Sequence, residues 1–143
     1  MNALVRLEGS NDAAVIDLVL RSAFSSDQEA RLVERLRKHQ RLRLSLIAEI
    51  DGVIAGHIAF SAVKIAGPMT NSTGVGLAPL AIVPELQGRG LGAQLVVKAC
   101  VPARASAPDS LLFLARLSIT SASALEVPTC SNWRMNTARV RHS

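Results

Sequence analysis

Tyrosine is absent from this chain, and aromatic residues of any kind make up only 3% of its 143 residues. No run of about 18 apolar residues occurs, which excludes a helix that spans a membrane. The N-terminus has no basic segment followed by an apolar stretch, so no signal peptide is expected. Cys100 and Cys130 form no metal-ligand spacing, which favours isolated thiols in a cytoplasmic protein without a metal site.

The net charge of +5 is unevenly distributed along the chain. Residues 1–97 carry ten Lys and Arg against nine Asp and Glu, whereas residues 98–143 carry six against two. This excess is not interleaved with aromatic side chains that could stack on bases, as binding of single-stranded nucleic acid requires. We therefore expect neither nucleic acid nor a membrane among the partners.

The composition, 49% hydrophobic and 19% charged, is typical of one folded domain with a single core. Apolar periodicity predicts strands over residues 3–7, 44–50, 53–63, 76–83 and 111–114. It predicts helices from Ser10 or Asn11 to about residue 22, from Ser26 to about residue 38, and over residues 91–99. Turn-forming residues predict a loop over residues 67–74.

Three local signals refine this pattern. Ser26 and Glu29 have the spacing of a capping box. Asp51-Gly52 predicts a hairpin turn, because glycine tolerates the positive φ that such turns need. Pro79 cannot donate to a strand ladder, so it indicates a bulge or a splayed edge within the apolar run 76–83.

The most informative segment is Gln87-Gly88-Arg89-Gly90-Leu91-Gly92, which joins that apolar strand to a helix. The first amides of a helix have no partner within the helix, and the helix dipole favours an anion beside them. Glycines leave those amides uncovered. We therefore expect this glycine turn (residues 87–92) to hold a phosphate or a pyrophosphate.

The order strand, helix, helix, hairpin, central strand, glycine turn, helix, together with the run from Leu80 to Gly92, resembles the GNAT superfamily of acyl-CoA-dependent N-acetyltransferases. The resemblance covers residues 1–98. It implies an α/β fold with a mixed central sheet flanked by helices, and an atypical or incomplete C-terminal part over residues 99–143, which we expect to be poorly ordered.

The resemblance also implies a co-substrate, acetyl-CoA, and the residues that bind it. In the family, the strand edge pairs with pantetheine, and the turn after it cradles the pyrophosphate. The predicted coenzyme-binding residues are Leu80, Ala81, Ile82, Gln87, Gly88, Arg89, Gly90, Leu91, Gly92 and Ala93. The implied reaction is acetyl transfer to an amine of a small molecule or a peptide, with the Ile82 amide polarising the thioester carbonyl.

The catalytic acid and base are not identified by the sequence. Many relatives place a Tyr where it can protonate the coenzyme thiolate, and this chain has none. His57 is a candidate base, although a lone strand histidine is more often structural. Glu49 could reach an amine through water, but a solvated charge at the rim of the sheet is the more typical interpretation. Asp51 flanks the hairpin turn, and Glu85 lies in a predicted turn, where a charged residue is expected for solubility or capping.

Other functions stay open beside the enzyme. One is a non-catalytic, acyl-CoA-binding remnant, and a weaker one is a nucleotide-binding domain. The turn could also be a plain strand-to-helix junction, but it matches neither the dinucleotide fingerprint G-x-G-x-x-G nor a Walker loop. The oligomeric state is open as well, a homodimer included.

A change of reading frame would explain the unfamiliar C-terminal part. Residues 113–125, back-translated with permitted codons and read from the third base of the first codon, give Leu-Gly-Pro-Pro-Glu-His-Tyr-Gln-Arg-Phe-Gly-Phe. This resembles a Tyr-containing segment of one GNAT subfamily. Some third bases were free choices, so several first letters of the shifted codons were free, whereas the second and third letters come from the less degenerate positions of the actual residues. We therefore predict a frame change near Lys98 or soon after, which leaves Cys130 and Trp133 without a designed role.

Overall fold

The structure is a computed structural model, and it describes residues 3–67, 70–106 and 112–114. Five strands and three helices form in these ranges, with one 3-10 turn between β4 and α3. In chain order they are β1 (Leu4–Leu7), α1 (Ala13–Ala23), α2 (Gln28–Lys38), β2 (Leu42–Ile50), β3 (Val53–Gly67), β4 (Thr70–Ile82), the 3-10 turn (Pro84–Leu86), α3 (Leu91–Ser106) and β5 (Leu112–Leu114).

The five strands form one mixed sheet in the order β1-β2-β3-β4-β5. The first three pairings are antiparallel, and β4 pairs with β5 in parallel, with α3 as the connection between them. Parallel neighbours need such a crossover helix. The predicted α/β class with a mixed central sheet is confirmed.

Alternate residues of each strand face opposite sides of the sheet, and both sides carry apolar residues. Helices therefore cover both faces. One face packs against α1 and α2 through the buried residues Ile16, Val19, Leu20, Ala30, Val33, Ile47 and Ala81. The other face packs against α3 through Leu44, Leu46, Ala48, Ile58, Phe60, Val75, Leu77, Leu95 and Ala99.

The Asp51-Gly52 hairpin is confirmed. Both residues have positive φ, at 50° and 80°, and Ile50 pairs with Val53 across the turn. Two positive φ values in succession give the turn a twist that matches the flanking strands.

Two predicted boundaries are wrong. The expected loop over 67–74 is instead the end of β3 and the start of β4, paired down to Gly67 opposite Thr70, while residues 68–69 lie outside the description. Strand pairing outweighs the polar composition there.

α3 extends to Ser106, past the expected end at residue 99 and with Pro102 inside the helix. The predicted boundary at residue 98 therefore falls within a helix.

The predicted helix caps also differ. α2 begins at Gln28 after the N-cap residue Asp27, and Ser26 Oγ faces the Glu29 carboxylate at 3.4 Å instead of a backbone amide. The capping box is therefore wrong. α1 follows the N-cap residue Asp12 instead of Ser10 or Asn11.

Candidate functional site

β4 carries a bulge where Pro79 lies. Ile58 of β3 pairs with Leu80, but Phe60, two residues later, pairs with Leu77, three residues earlier in β4. One extra residue therefore lies in β4 at Ala78–Pro79, as the missing N–H of Pro79 predicts. The described part of β5 pairs only with residues 75–77 of β4, before the bulge.

Beyond the bulge, β4 presents one edge to β3 and leaves the other edge without a strand among the described residues. The Val83 N–H donates to the Ala55 carbonyl of β3 at 2.9 Å. Successive residues of a strand direct their backbone groups to opposite edges, so Ile82 directs its N–H and C=O away from β3. The edge of β4 that faces away from β3 is therefore open, and it is the edge that the sequence analysis predicts to pair with pantetheine.

The glycine turn is fastened to this open edge. The Gln87 side chain donates from Nε2 to the Ile82 carbonyl at 2.9 Å, a contact that the sequence did not predict. Gly88 and Gly90 follow with φ of 74° and 81°, a conformation that only glycine adopts without strain. α3 then begins at Leu91, whose buried side chain anchors the first turn of the helix.

The six amides from Gly88 to Ala93 have no acceptor in the described part of the chain. The first bond of α3 runs from the Gln94 N–H to the Gly90 carbonyl at 3.1 Å. A Cβ added at Gly88 or Gly90 would meet nothing within 4 Å, and one at Gly92 would meet only Leu80 Cδ2 at 3.5 Å. These glycines therefore border open space, and residues 88–90 are exposed, so an anion can approach the segment from outside.

The start of α3 differs from that of α1 in charge. At α1, Asp12 Oδ2 accepts the Gly9 N–H at 2.6 Å and pairs with Arg6 Nη1 at 2.7 Å. These two partners hold the pKa of Asp12 below its usual value, the Arg6 contact having the larger effect. The first turn of α3 has no acidic residue, and the exposed Arg89 precedes it. The first turn of α1 has no acidic residue either, and Asp12 makes no side-chain cap bond there, but its carboxylate lies at the N-cap position of α1. The start of α3 has no such carboxylate and is open to an anionic ligand.

The acidic candidates Glu49, Asp51 and Glu85 lie outside the glycine turn, although Glu85 is in the 3-10 turn that directly precedes it. Glu49 is bound to Arg6 Nε at 2.9 Å at the end of β2, which supports the interpretation as a rim residue. Asp51 lies exposed in the hairpin turn, and Glu85 is exposed in the 3-10 turn.

His57 is fully buried, with an exposed fraction of 0%. Its Nε2 lies 2.9 Å from Ser45 Oγ, while its Nδ1 has no hydrogen-bond partner among the residues that the structure describes. Burial, and to a smaller extent the charge of Arg37, lower the pKa of His57 to about 3. Ser45 in turn bonds to Glu8, and Glu8 to Arg37. The sequence does not reveal these three partners, because they come from three separate elements.

Two broader features bear on the chemistry. No group of three or more metal-ligating side chains occurs in the part of the chain that the structure describes. No helix within residues 3–67, 70–106 and 112–114 is long and apolar enough to cross a bilayer.

Known proteins resemble this chain in sequence and in fold. A profile of the acetyltransferase (GNAT) family matches residues 13–115. The chain is 45% identical over 94 residues to the uncharacterised N-acetyltransferase YhbS of Escherichia coli K12, covering 65% of this chain and 55% of that protein. It is 40% identical over 88 residues to YjhQ of the same strain, covering 60% and 49%. The chain thus spans about half the length of the curated relatives it matches.

Two solved structures of similar sequence contain the coenzyme. Escherichia coli YhbS in complex with CoA has a TM-score of 0.64 and 42% identity, covering 69% of this chain and 54% of that one. A GNAT family acetyltransferase from Brucella melitensis in complex with acetyl-CoA has a TM-score of 0.71 and 36% identity, covering 82% and 78%.

Proposed function

Because the chain belongs to the acetyltransferase (GNAT) family, we propose that it transfers an acetyl group from acetyl-CoA to an amine of a small molecule or a peptide. The similar proteins that were crystallised with CoA and acetyl-CoA support the choice of co-substrate. The proposed binding residues are the ten predicted from the sequence, in two groups: the edge of β4 at Leu80, Ala81 and Ile82, and the segment from Gln87 to Ala93.

One observation carries this proposal. Six consecutive amides, Gly88 to Ala93, lack an acceptor among the described residues and lie at the positive end of α3. A diphosphate would satisfy several of these donors at once, and each favourable helix-terminus contact contributes about 0.3–1 kcal/mol when exposed. Arg89 would add a charge-assisted contact to a phosphate.

The open edge of β4 suits the thioester end of the coenzyme. We propose that the Ile82 N–H, directed away from β3, donates to the thioester carbonyl and stabilises the negative charge that develops as the amine attacks. Gln87 has a positioning role in this arrangement, because its bond to the Ile82 carbonyl holds the turn and the strand edge together.

The test measures coenzyme A binding to a pair of glycine variants by isothermal titration calorimetry. Gly90→Val and Gly52→Val replace glycines with nearly the same φ, 81° and 80°, and neither has an atom within 4 Å of the added Cβ. Both variants therefore bear similar backbone strain. Only Gly90→Val places a branched side chain where we locate the diphosphate.

We expect Gly90→Val to weaken coenzyme A binding by at least about tenfold, or 1.4 kcal/mol, with Gly52→Val close to wild type. Equal affinities of Gly90→Val and wild type would show that the coenzyme binds elsewhere. Thermal unfolding of both variants checks that they fold alike.

A second candidate function is the non-catalytic, acyl-CoA-binding remnant. The absence of any tyrosine favours it, because the implied proton donor to the thiolate is then missing. An acetyl-CoA consumption assay with a panel of amines, run beside the binding measurement, separates the two. Binding without consumption would favour the remnant, and consumption that depends on the amine would favour the enzyme.

We keep the frame change after about Lys98 as a proposal, with residues 1–98 as the coenzyme-binding part. The shifted peptide from residues 113–125 and the missing tyrosine support it. Most of the segment concerned lies outside the described residues. Sequencing the gene tests it: codons incompatible with the shifted peptide, in a frame with neither insertion nor deletion, would refute it.

The location and assembly of the protein are also proposals. We infer a cytoplasmic enzyme from its two cysteines, which have no metal-ligand spacing. A homodimer stays a prediction that sedimentation equilibrium can test.

A further inference from the structure

A chain of hydrogen bonds runs from the rim of the molecule to its interior on the face covered by α1 and α2. Arg37 of α2, whose side chain is 34% exposed, donates from Nη2 to Glu8 Oε1 at 2.5 Å. Glu8, which is 12% exposed, accepts a short bond from Ser45 Oγ on β2. Ser45 Oγ lies 2.9 Å from Nε2 of the buried His57 on β3. We call these four residues the polar chain.

The polar chain determines where the protons lie. A carboxylate can only accept, so the single hydroxyl proton of Ser45 points to Glu8. Ser45 Oγ is then an acceptor toward His57, which must donate from Nε2. His57 is therefore the Nε2–H tautomer, and its Nδ1 carries a bare lone pair.

That lone pair has no donor in the described part of the protein, although the side chain is completely buried. A buried acceptor without a donor costs about 1–3 kcal/mol, which an internal water commonly removes. His57 lies opposite Ala81 in the β3–β4 register, between Leu80 and Ile82 of the open edge. The unpaired end of the polar chain thus belongs to the strand beside β4, and the proposed thioester lies beyond β4, roughly two strand spacings of about 4.8 Å from β3.

We propose that Glu8, Ser45 and His57 form a proton relay for acetyl transfer, entered at His57 Nδ1 through internal water. The inference rests on the proposed function. It assigns a role in the reaction to three residues outside the coenzyme-binding segments.

The relay balances as two transfers in opposite directions. As the amine nitrogen bonds to the acetyl carbon, its proton passes through the water to Nδ1, the Nε2 proton passes to Ser45 Oγ, and the Ser45 proton passes to Glu8. The C–S bond then breaks, and its electron pair leaves on the coenzyme sulfur. The reverse transfer carries one proton from Glu8 back through Ser45, His57 and the water to the thiolate, which restores the first tautomer.

His57 is better suited to pass a proton on than to hold one as a general base that becomes charged. Burial and the charge of Arg37 keep the pKa of His57 at about 3, so the imidazolium is strongly disfavoured at neutral pH. In the relay the ring gains a proton at one nitrogen as it loses one at the other. It therefore never carries a full charge, and no tyrosine is needed to protonate the thiolate.

The first test is the tautomer, read by 15N NMR of the histidine rings of the full-length protein at neutral pH. We expect His57 to show a protonated Nε2 and an unprotonated Nδ1, with His57→Gln assigning the signal. A protonated Nδ1 in the resting protein would overturn the relay, whatever the enzyme's activity.

The second test compares kcat in three variants with two matched controls. Glu8→Gln cannot take up a proton, Ser45→Ala breaks the polar chain, and His57→Gln keeps a donor toward Ser45 but cannot relay. We expect kcat to fall by about 100-fold or more in each, the usual extent of general acid–base catalysis, with coenzyme A affinity within about twofold. Glu34→Gln and Ser26→Ala replace exposed residues and should keep wild-type kcat.

A purely structural role of the polar chain would give a different result. A relay moves several protons in one step, so kcat in mixtures of H2O and D2O should fall along a curve instead of a straight line. Variants that fold and bind coenzyme A but keep wild-type kcat would overturn the relay alone. A wild-type protein that binds coenzyme A but acetylates no amine would overturn the proposed function, and the relay with it, while the tautomer would remain as measured.

Discussion

The glycine turn and the polar chain treat unpaired polar groups in opposite ways. The turn and the start of α3 leave six backbone donors without an acceptor among the described residues, and Gly88 to Gly90 are exposed, where water can satisfy them until a ligand arrives. The polar chain pairs its groups in sequence from Arg37 inward and ends at His57 Nδ1, a buried acceptor with no donor in the described part of the chain. The comparison shows that location decides what an unpaired group costs.

The same difference separates stability from binding. Unpaired donors at the surface cost the fold little, so the sequence there is free to serve a ligand, with glycines and Arg89 and no acidic residue. A buried histidine affects the fold itself, because burial disfavours its charged form and lowers its pKa. Changes at the polar chain should therefore alter stability, whereas changes at the turn should alter affinity.

The largest expected effect is the loss of stability when the buried histidine must be charged. The pKa of His57 falls from 6.5 in the unfolded chain to about 3 in the fold, so below pH 6.5 the unfolded state binds a proton that the folded state does not. The free energy of unfolding should fall by about 2 kcal/mol between pH 7 and pH 5 from this group. Urea unfolding of wild type and of His57→Gln measures it, and equal pH dependence in the two proteins would contradict the account.

A carboxylate at the start of α3 should make this helix resemble α1. Gly92→Asp places a negative charge in its first turn, where the added Cβ makes only an ordinary contact with Leu80. We expect coenzyme A affinity to fall by about tenfold or more through repulsion of the diphosphate, and the ligand-free protein to gain about 0.3–1 kcal/mol from the helix dipole. The neutral Gly92→Asn has nearly the same shape and is the control. If the two variants bound equally, charge at this helix end would be irrelevant.

The smallest expected effect concerns Arg89. Its side chain is exposed, so Arg89→Ala should weaken coenzyme A binding only by about threefold at low salt, and salt should reduce the difference. Calorimetry at two ionic strengths measures this, and Arg31→Ala, an exposed arginine on α2, is the matched control. A salt-independent loss would indicate that Arg89 shapes the turn rather than contacting a phosphate.

Much of the fold was predictable because it depends on short-range signals. Asp51-Gly52 and Pro79 each have a backbone conformation or a missing donor that acts within a few residues, and both predictions are confirmed. The extension of β4 back to Thr70 was not predictable, since it depends on pairing with a distant part of β3.

The candidate site divides in the same way. The glycine turn was evident from consecutive residues, and the six free amides follow from its local geometry. The bond from Gln87 to Ile82 could not be inferred, because it requires the turn to fold back on the strand. The partners of His57 lie 12 or more residues away along the chain, so no spacing rule points to them.

The most direct test of the central claim is a crystal structure of this protein with coenzyme A bound. We predict that the diphosphate oxygens accept hydrogen bonds from amides between Gly88 and Ala93, and that pantetheine follows the edge of β4 beside Ile82. A diphosphate bound at any other place, with those amides still facing water, would contradict the account.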